Sequence, residues 1–280
     1  MPQHGSLLDQ IIQMIESGSL SLPVYDPVAL KMQEFVANKT EDISEIENLI
    51  MSDQTLAAEV LKAANSPFFC GLSPVRTIRN AIVRLGTHQM RRLVILVSER
   101  SKYRAGHPDL HRMLGDLWHH ACTTALGAQW LSKRLRSTGI EEICFLGGLL
   151  HDIGKLIILR AIDEMQTDKN AKLHISPSLL YEILLTAHCQ LGYRLLKNWN
   201  IPEIYCQIAR DHHSEDLSSG ELPLAIVRLA NEGSRKLGLG LDPNPSLVLA
   251  ATPEAIMLQV GETLLAELEI MLEEHLSVAA

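Results

Sequence analysis

Apolar positions in this chain recur every three or four residues and strict alternation is nearly absent, so the pattern predicts helices rather than strands. Leu7, Ile11, Ile12 and Ile15 keep a helical period until Pro23 and Pro27 interrupt it. A second helix is expected from about 29 to 37. Ser44 is placed to cap the next, with Ile46, Leu49 and Ile50 inward, and Asp53 to cap another whose Leu56, Val60, Leu61 and Ala64 form an apolar face. Further helices are expected over 75–85 and 89–97, then near 113–135, 142–161, 178–198, 202–213 and 221–237. The fold class that follows is all-α, a multi-helix bundle preceded by a smaller helical N-terminal half. The expected division is 1–112, 113–237 and an acidic helical extension over 238–280.

Composition agrees with helix-on-helix packing. The hydrophobic fraction is 46% but the aromatic fraction only 4%, so Leu, Ile, Val and Ala must fill the interior. A net charge of −8 disfavours wholesale nucleic-acid binding. The charge is uneven: between Arg76 and Arg104 eight basic residues accompany the single acid Glu99, and no Lys or Arg follows Lys236. Such a patch could meet an anionic ligand or an acidic partner, and a solvated basic helix face is the simpler expectation. Cys70, Cys122, Cys144, Cys189 and Cys206 are widely spaced and odd in number, which fits reduced thiols in a cytoplasm. MPQHGSLLDQ lacks the features of a signal peptide, and the most apolar long window, 246–260, contains Pro253 and Glu254. The expectation is a cytoplasmic protein without a membrane or nucleic-acid partner.

The chemistry concentrates in histidines. GGLLHDIGKL, residues 147–156, sets His151 and Asp152 side by side in an apolar run. Read as one helix, three of the four residues a turn away from His151 are glycines, Gly147, Gly148 and Gly154. Each gives up about 1 kcal/mol of helix stability relative to alanine, so the chain has cleared space for another helix, a metal or a ligand. His120 shares an inward face with Leu117 and Thr124. His188 lies on a stripe with Leu184, Leu185, Leu191 and Leu195. Ile204, Ile208 and His212 step by four, while helix geometry turns His213 about 100° away. Any one of these reads as a core histidine. Four helices each aiming a histidine inward, with a carboxylate beside one, suit a transition metal such as iron, manganese, nickel or zinc.

The order His120, His151-Asp152, His188, His212-His213 resembles the HD superfamily of metal-dependent phosphohydrolases. Within it the chain is most similar to the HDOD domain, an HD-related output domain of bacterial signalling. LSLPV (20–24), SDQTLAAEVLKAANSPFF (52–69) and VRTIRNAIVRLG (75–86) look like that family's N-terminal half. LWHHACTTA (117–125) and EILLTAHCQLGYRLLKNWNIPEIYCQIARDHH (182–213) look like its C-terminal half, so the resemblance covers roughly residues 20–235.

The resemblance implies an HD-like helical fold. In catalytic relatives the first histidine, the HD pair and a late aspartate hold a metal that activates water for attack on a phosphoester. His120, His151 and Asp152 match the first three, with His188, His212 and His213 as further metal ligands. The late aspartate position falls on Asn231 in IVRLANEG, whose amide oxygen carries no charge and is the weaker ligand. The GYP-type extension of cyclic-dinucleotide phosphodiesterases is replaced by HHSEDLSSGELP. Lys155 matches the lysine of HDxGK and either binds phosphate or lies along the surface; Asp152 and Lys155 would be the catalytic pair of an enzyme. Glu182 also belongs to the family pattern and either accepts from a metal-bound imidazole or pairs with Arg194 or Lys197.

Two functions follow from different classes. One is a non-catalytic signalling domain whose degenerate HD site serves sensing or protein interaction, with a signalling protein or a small nucleotide-like ligand as partner and a homo-oligomer allowed. The other is a metal-dependent phosphohydrolase acting on a nucleotide or cyclic nucleotide. Beyond both, GETLLAELEIMLEEH (261–275) places Leu264, Leu265, Leu268 and Leu272 on one stripe. That helix is expected to dock on its own chain or a second copy, with its acids meeting the basic 76–104 stretch.

Overall fold

The structure, a computed structural model, describes residues 6–17, 20, 28, 31–32, 34–35, 42–66, 69, 73–137, 139–167, 175–214 and 222–279, the last five without their side chains. Cys70, most of the expected 29–37 helix and residues 215–221, which follow the histidine pair, lie outside the described residues. The described residues contain helices and no strand. They form two compact units, 23–103 and 1–22 together with 104–279. This differs from the division expected at 112, because the N-terminal helix packs with the second half of the chain and the C-terminal extension does too.

The smaller unit holds α1's successors in sequence, α2 (Ile43–Met51), α3 (Gln54–Ala64), α4 (Ile78–Leu85) and α5 (Thr87–Arg100), where α1 is Leu7–Ser17 of the larger unit. Asp53 caps α3 by accepting from the Thr55 and Leu56 N–H groups. Asp42 rather than Ser44 caps α2, and it accepts from the Ser44 N–H. Asn65 ties down the connection to α4: its amide donates to the Val75 carbonyl and accepts from the Val75 N–H, at 2.9 and 2.8 Å. The basic stretch here is not a solvated face. Arg91, Arg92 and Lys102 are buried, and Lys102 reaches Glu99 at 2.6 Å, whereas Arg76, Arg79 and Arg104 are exposed.

The larger unit is built around α6 (Pro108–Arg134), against which α7 (Glu141–Leu150), α11 (Leu222–Lys236) and α13 (Glu262–Ala279) pack. α8 (Ile153–Thr167) packs on α9 (Pro177–Asn198), α9 on α10 (Glu203–Asp211), and α1 on α9. A short helix α12 (Pro253–Met257) completes the unit. The chain enters it through a clamp: the Asp163 carboxylate on α8 accepts from the Gly106 and His107 N–H groups at 3.0–3.1 Å.

The expected single helix over 142–161 is two helices. α7 ends at Leu150, His151 and Asp152 form a turn, and α8 starts at Ile153. The glycines around this turn serve close helix packing. A Cβ on Gly148 would lie 2.7 Å from the Ala125 Cα of α6, and one on Gly154 would lie 1.9 Å from the His188 carbonyl oxygen of α9. Glycine therefore brings α6 and α9, with His120 and His188, against the turn that carries His151 and Asp152.

The C-terminal helix docks on its own unit. Leu265, Leu268, Met271 and Leu272 are buried, and Leu272 fits where Gly127 of α6 and Gly233 of α11 leave room. Each such side chain contributes about 1.5–3 kcal/mol of transfer free energy. Two of its acids meet bases of the same unit, Glu267 with Arg134 and Glu269 with Lys236.

Candidate metal centre

Five side chains of the larger unit converge at the start of α8. His120, His151, Asp152, His188 and His212 are each at most 3% exposed. The Asp152 carboxylate stands between two imidazole pairs. Its Oδ2 lies 3.6 Å from His120 Nε2 and 3.5 Å from His151 Nε2; its Oδ1 lies 3.5 Å from His188 Nε2 and 3.3 Å from His212 Nε2. Within each pair the facing nitrogens are 3.2 Å (His120, His151) and 3.3 Å (His188, His212) apart.

Two turns make the convergence. In a continuous helix neighbouring residues point about 100° apart, and one of each pair would face away. His151-Asp152 and His212-His213 instead occupy turns after α7 and α10, so both members of each pair face the cluster. His213, expected to be turned away, has a ring nitrogen within 4.8 Å of donor atoms of Asp152, His188 and His212, although the residue is exposed. The signal available in the sequence was the double pair itself: adjacent polar residues closing an apolar helical run mark a helix end as readily as a helix interior.

The donor set fits a metal ion. The Nδ1–H of His151 donates to the Gly148 carbonyl at 2.7 Å and that of His212 to the Ala209 carbonyl at 3.0 Å, which leaves both Nε2 lone pairs facing the centre. His212 Nε2 then opposes Asp152 Oδ1, an oxygen buried without a hydrogen-bond partner. A lone pair against a carboxylate oxygen in a dry site is relieved by a cation. Two imidazoles bound to one ion at about 2.0–2.1 Å have their nitrogens about 3.0–3.4 Å apart, which the observed separations match. Two donor groups result: His120, His151 and Asp152, and Asp152, His188, His212 and His213.

The electrostatics keep the ligands ready. Burial, the largest influence, pushes the His120 imidazole down to about 3 and the His188 imidazole to about 4, and lowers His151 and His212 as well. All four are neutral near pH 7. Burial works against ionisation of Asp152, but the Lys155 ammonium, 2.8 Å away, outweighs it and holds the carboxyl well below its ordinary range.

The remaining expected residues separate. Lys155 neither lies along the surface nor points free: it is 6% exposed and its ammonium is 2.8 Å from Asp152 Oδ2. Asn231, on α11, is buried at the His120–His151 side, where it acts to raise both imidazoles against the larger effect of burial, and its amide nitrogen faces Glu232 at 3.4 Å. Glu182 is exposed on α9, away from the cluster. Its expected bases are engaged elsewhere, Arg194 with Glu16 and Lys197 with Glu203. Leu185, expected inward, is 43% exposed because it stands at the mouth of a 220 Å³ cavity over the cluster. Sequence reasoning missed that cavity's outer wall, residues 239–242, which follow the last expected helix of the bundle.

Comparison with known proteins gives a consistent picture. The HDOD domain matches residues 22–215. An "Uncharacterized protein" of Treponema pallidum (strain Nichols) is 24% identical over 200 residues, which are 69% of this chain and 38% of that protein, so this chain spans well under half the length of that relative. Among solved structures, an HDOD domain protein of unknown function from Geobacter sulfurreducens superposes with a TM-score of 0.74 at 21% identity, covering 98% of both chains. A protein from Shewanella amazonensis SB2B named "Putative metal-dependent phosphohydrolase" superposes with a TM-score of 0.67 at 18% identity, covering 96% of this chain and 98% of that one. At these identities the two structures establish the shared all-α fold.

Proposed function

The chain belongs to the HDOD family, and from that premise we propose that it is a non-catalytic signalling domain whose HD centre binds one divalent transition metal as part of a sensing or interaction device. The observation that carries this reading is the asymmetry about Asp152. Oδ1 faces His188 and His212, with His213 in the same donor group, and has no competing cation, whereas Oδ2 already holds the Lys155 ammonium at 2.8 Å and its side of the centre offers the uncharged Asn231. Asp152, His188, His212 and His213 would hold the ion, which supplies a positive charge and an open position for an oxyanion. A second ion beside His120 and His151 would have to displace a buried ion pair, a step that costs several kcal/mol in such surroundings. Hydrolysis that needs both positions is thereby disfavoured.

The cavity over the centre favours a second reading, a metal-dependent phosphohydrolase acting on a nucleotide, because it opens onto Lys155 and three of the histidines. One experiment tests both: metal content of protein purified without added metal or chelator, followed by a phosphoesterase screen on the loaded protein. About one ion per chain and no turnover is the expected result. Two ions per chain with turnover of a nucleotide phosphoester would replace the first reading by the second.

A further inference from the structure

The cavity above the metal centre has two walls of opposite character. Its floor is polar and includes His120, His188, Lys155 and Asn231. Its outer wall is Leu239, Gly240 and Leu241, with Leu185 of α9 at the mouth. That wall comes from beyond the residues matched by the HDOD domain, and it is firmly placed. Arg235 of α11 donates to the Asp242 carbonyl at 3.0 Å and to its carboxylate at 2.7 Å, and the Tyr181 hydroxyl of α9 donates to the same carboxylate at 3.0 Å. The segment is thus strapped across the cavity between the helices that carry Asn231 and His188.

Two ring nitrogens of the floor are unspent: His120 Nδ1 and His188 Nδ1 are buried without a hydrogen-bond partner, unlike the corresponding nitrogens of His151 and His212, and the His120 nitrogen is the one that faces the outer wall. Gly240, at φ +89°, leaves the edge of that ring open, since a Cβ there would stand 3.1 Å from Nδ1 and 3.0 Å from Cγ. Size and charge narrow what could reach it. With about 30 Å³ for each non-hydrogen atom, as for a water molecule, 220 Å³ takes roughly seven. That is a third of a nucleoside monophosphate. The cations Lys155 and Arg235 are matched by Asp152 and Asp242, with Glu232 also on Arg235, so even with a divalent ion the floor balances a single negative charge better than two.

We propose that this cavity binds a short aliphatic carboxylate of about four to six carbons, its oxygens toward the metal centre and His120 Nδ1 and its chain between Leu185, Leu239 and Leu241. The assignment rests on the metal reading above, which would make such a carboxylate the small molecule the domain senses. The ligand differs from a nucleotide in both size and apolarity, and the wall that selects it belongs to the segment beyond the matched domain.

Calorimetric titration of the zinc-loaded chain with acetate, butyrate, hexanoate, decanoate, inorganic phosphate and AMP tests it. Affinity should rise about fourfold per methylene from acetate to hexanoate, as expected for burial of each group, and then fall at decanoate. Leu185→Asp, at an exposed position, should abolish the chain-length dependence, and Gly240→Ala should weaken hexanoate at least tenfold. Phosphate or AMP binding more tightly than hexanoate, no dependence on chain length, or the same dependence in Leu185→Asp would overturn the proposal. The two readings fail separately: zinc bound stoichiometrically with no carboxylate binding removes only the ligand, and chain-length-dependent binding to protein that takes up no zinc removes only the metal.

Discussion

The two sides of the Asp152 carboxylate look alike in a list of residues and differ in what they can hold. On one side His120 and His151 face an oxygen already bound to Lys155, and the remaining polar group is the amide of Asn231. On the other, His188 and His212, with His213 beside them, face an oxygen that nothing else satisfies. The difference teaches that a histidine count alone does not describe a metal centre. What decides is whether the shared carboxylate has an oxygen, and the site a charge, left to give.

The largest effect should come from removing the shared group. Asp152→Ala takes a ligand from both sides and strands the Lys155 ammonium in a buried site, at a cost of about 3–5 kcal/mol. Metal analysis should find no bound ion and thermal unfolding a large drop in Tm. Asp152→Ala together with Lys155→Met should recover much of the stability and none of the metal. Retention of the ion in either variant would show that Asp152 is not the ligand the two sides share.

A second substitution should break one side and spare the other. In Gly154→Ala the new Cβ would meet the His188 carbonyl oxygen at 1.9 Å, so α8 and α9 must part and His188 must move. Overpacking of this kind costs about 1–3 kcal/mol or more. Metal affinity should fall at least tenfold while His120 and His151, held by the Gly148 contact with α6, keep their spacing. Gly115→Ala is the control: nothing lies within 4 Å of its Cβ, and up to about 1 kcal/mol of stabilisation is expected. Equal behaviour of the two variants would mean that the Gly154 crossing does not position the site.

How much of this was legible in the chain can be judged from the same residues. The helical period gave the all-α class and most helices to within a few residues, because 3.6-residue burial leaves a direct trace in sequence. The inward histidines His120, His188 and His212 were legible for the same reason. What the period could not show is where a helix stops when both sides of the break are apolar, as at His151-Asp152, and hence why His213 joins the cluster. Nor could it show which charged neighbour of the motif joins the cluster. Lys155 finds Asp152 across one turn, whereas Glu182 remains outside, and their spacing to the motif does not separate these outcomes. The basic 76–104 stretch illustrates the same gap, since Arg91, Arg92 and Lys102 are buried where a solvated face was expected.

Asn231→Asp sharpens the contrast instead of breaking it. A carboxylate beside His120 and His151 would supply the charged oxygen that this side lacks and would compete with Asp152 for Lys155. The expected outcome is a rise from one ion toward two per chain, with the added ion about tenfold or more tighter than in the parent, the scale of effect that ligand-shell changes have on metal affinity. A chain that still takes one ion with unchanged affinity would place the limit at Lys155 and not at the amide.

The smallest effect near neutrality concerns acid. An ordinary histidine titrates near 6.5, so three exposed imidazole ligands would together lose an ion steeply between pH 7 and 5.5. Here burial lowers His188 to about 4 and His120 to about 3, and Asp152 stays ionised below the usual carboxylate range. Metal affinity should therefore be nearly flat from pH 7.5 to 5 and fall as His188 titrates near pH 4, before His120 does. The metal-free chain should behave differently. Its unfolded state takes up protons on these histidines below about pH 6.5 while the folded state does not until about pH 4, so the unfolded state binds more protons and stability declines as pH drops through that window. Chelator competition and thermal unfolding across pH 4 to 7.5 read the two curves separately. A tenfold loss of zinc affinity between pH 7 and 6 would show that the imidazoles around Asp152 titrate as exposed groups, and that the two sides are open to water in a way the packing of α6, α9 and α11 does not permit.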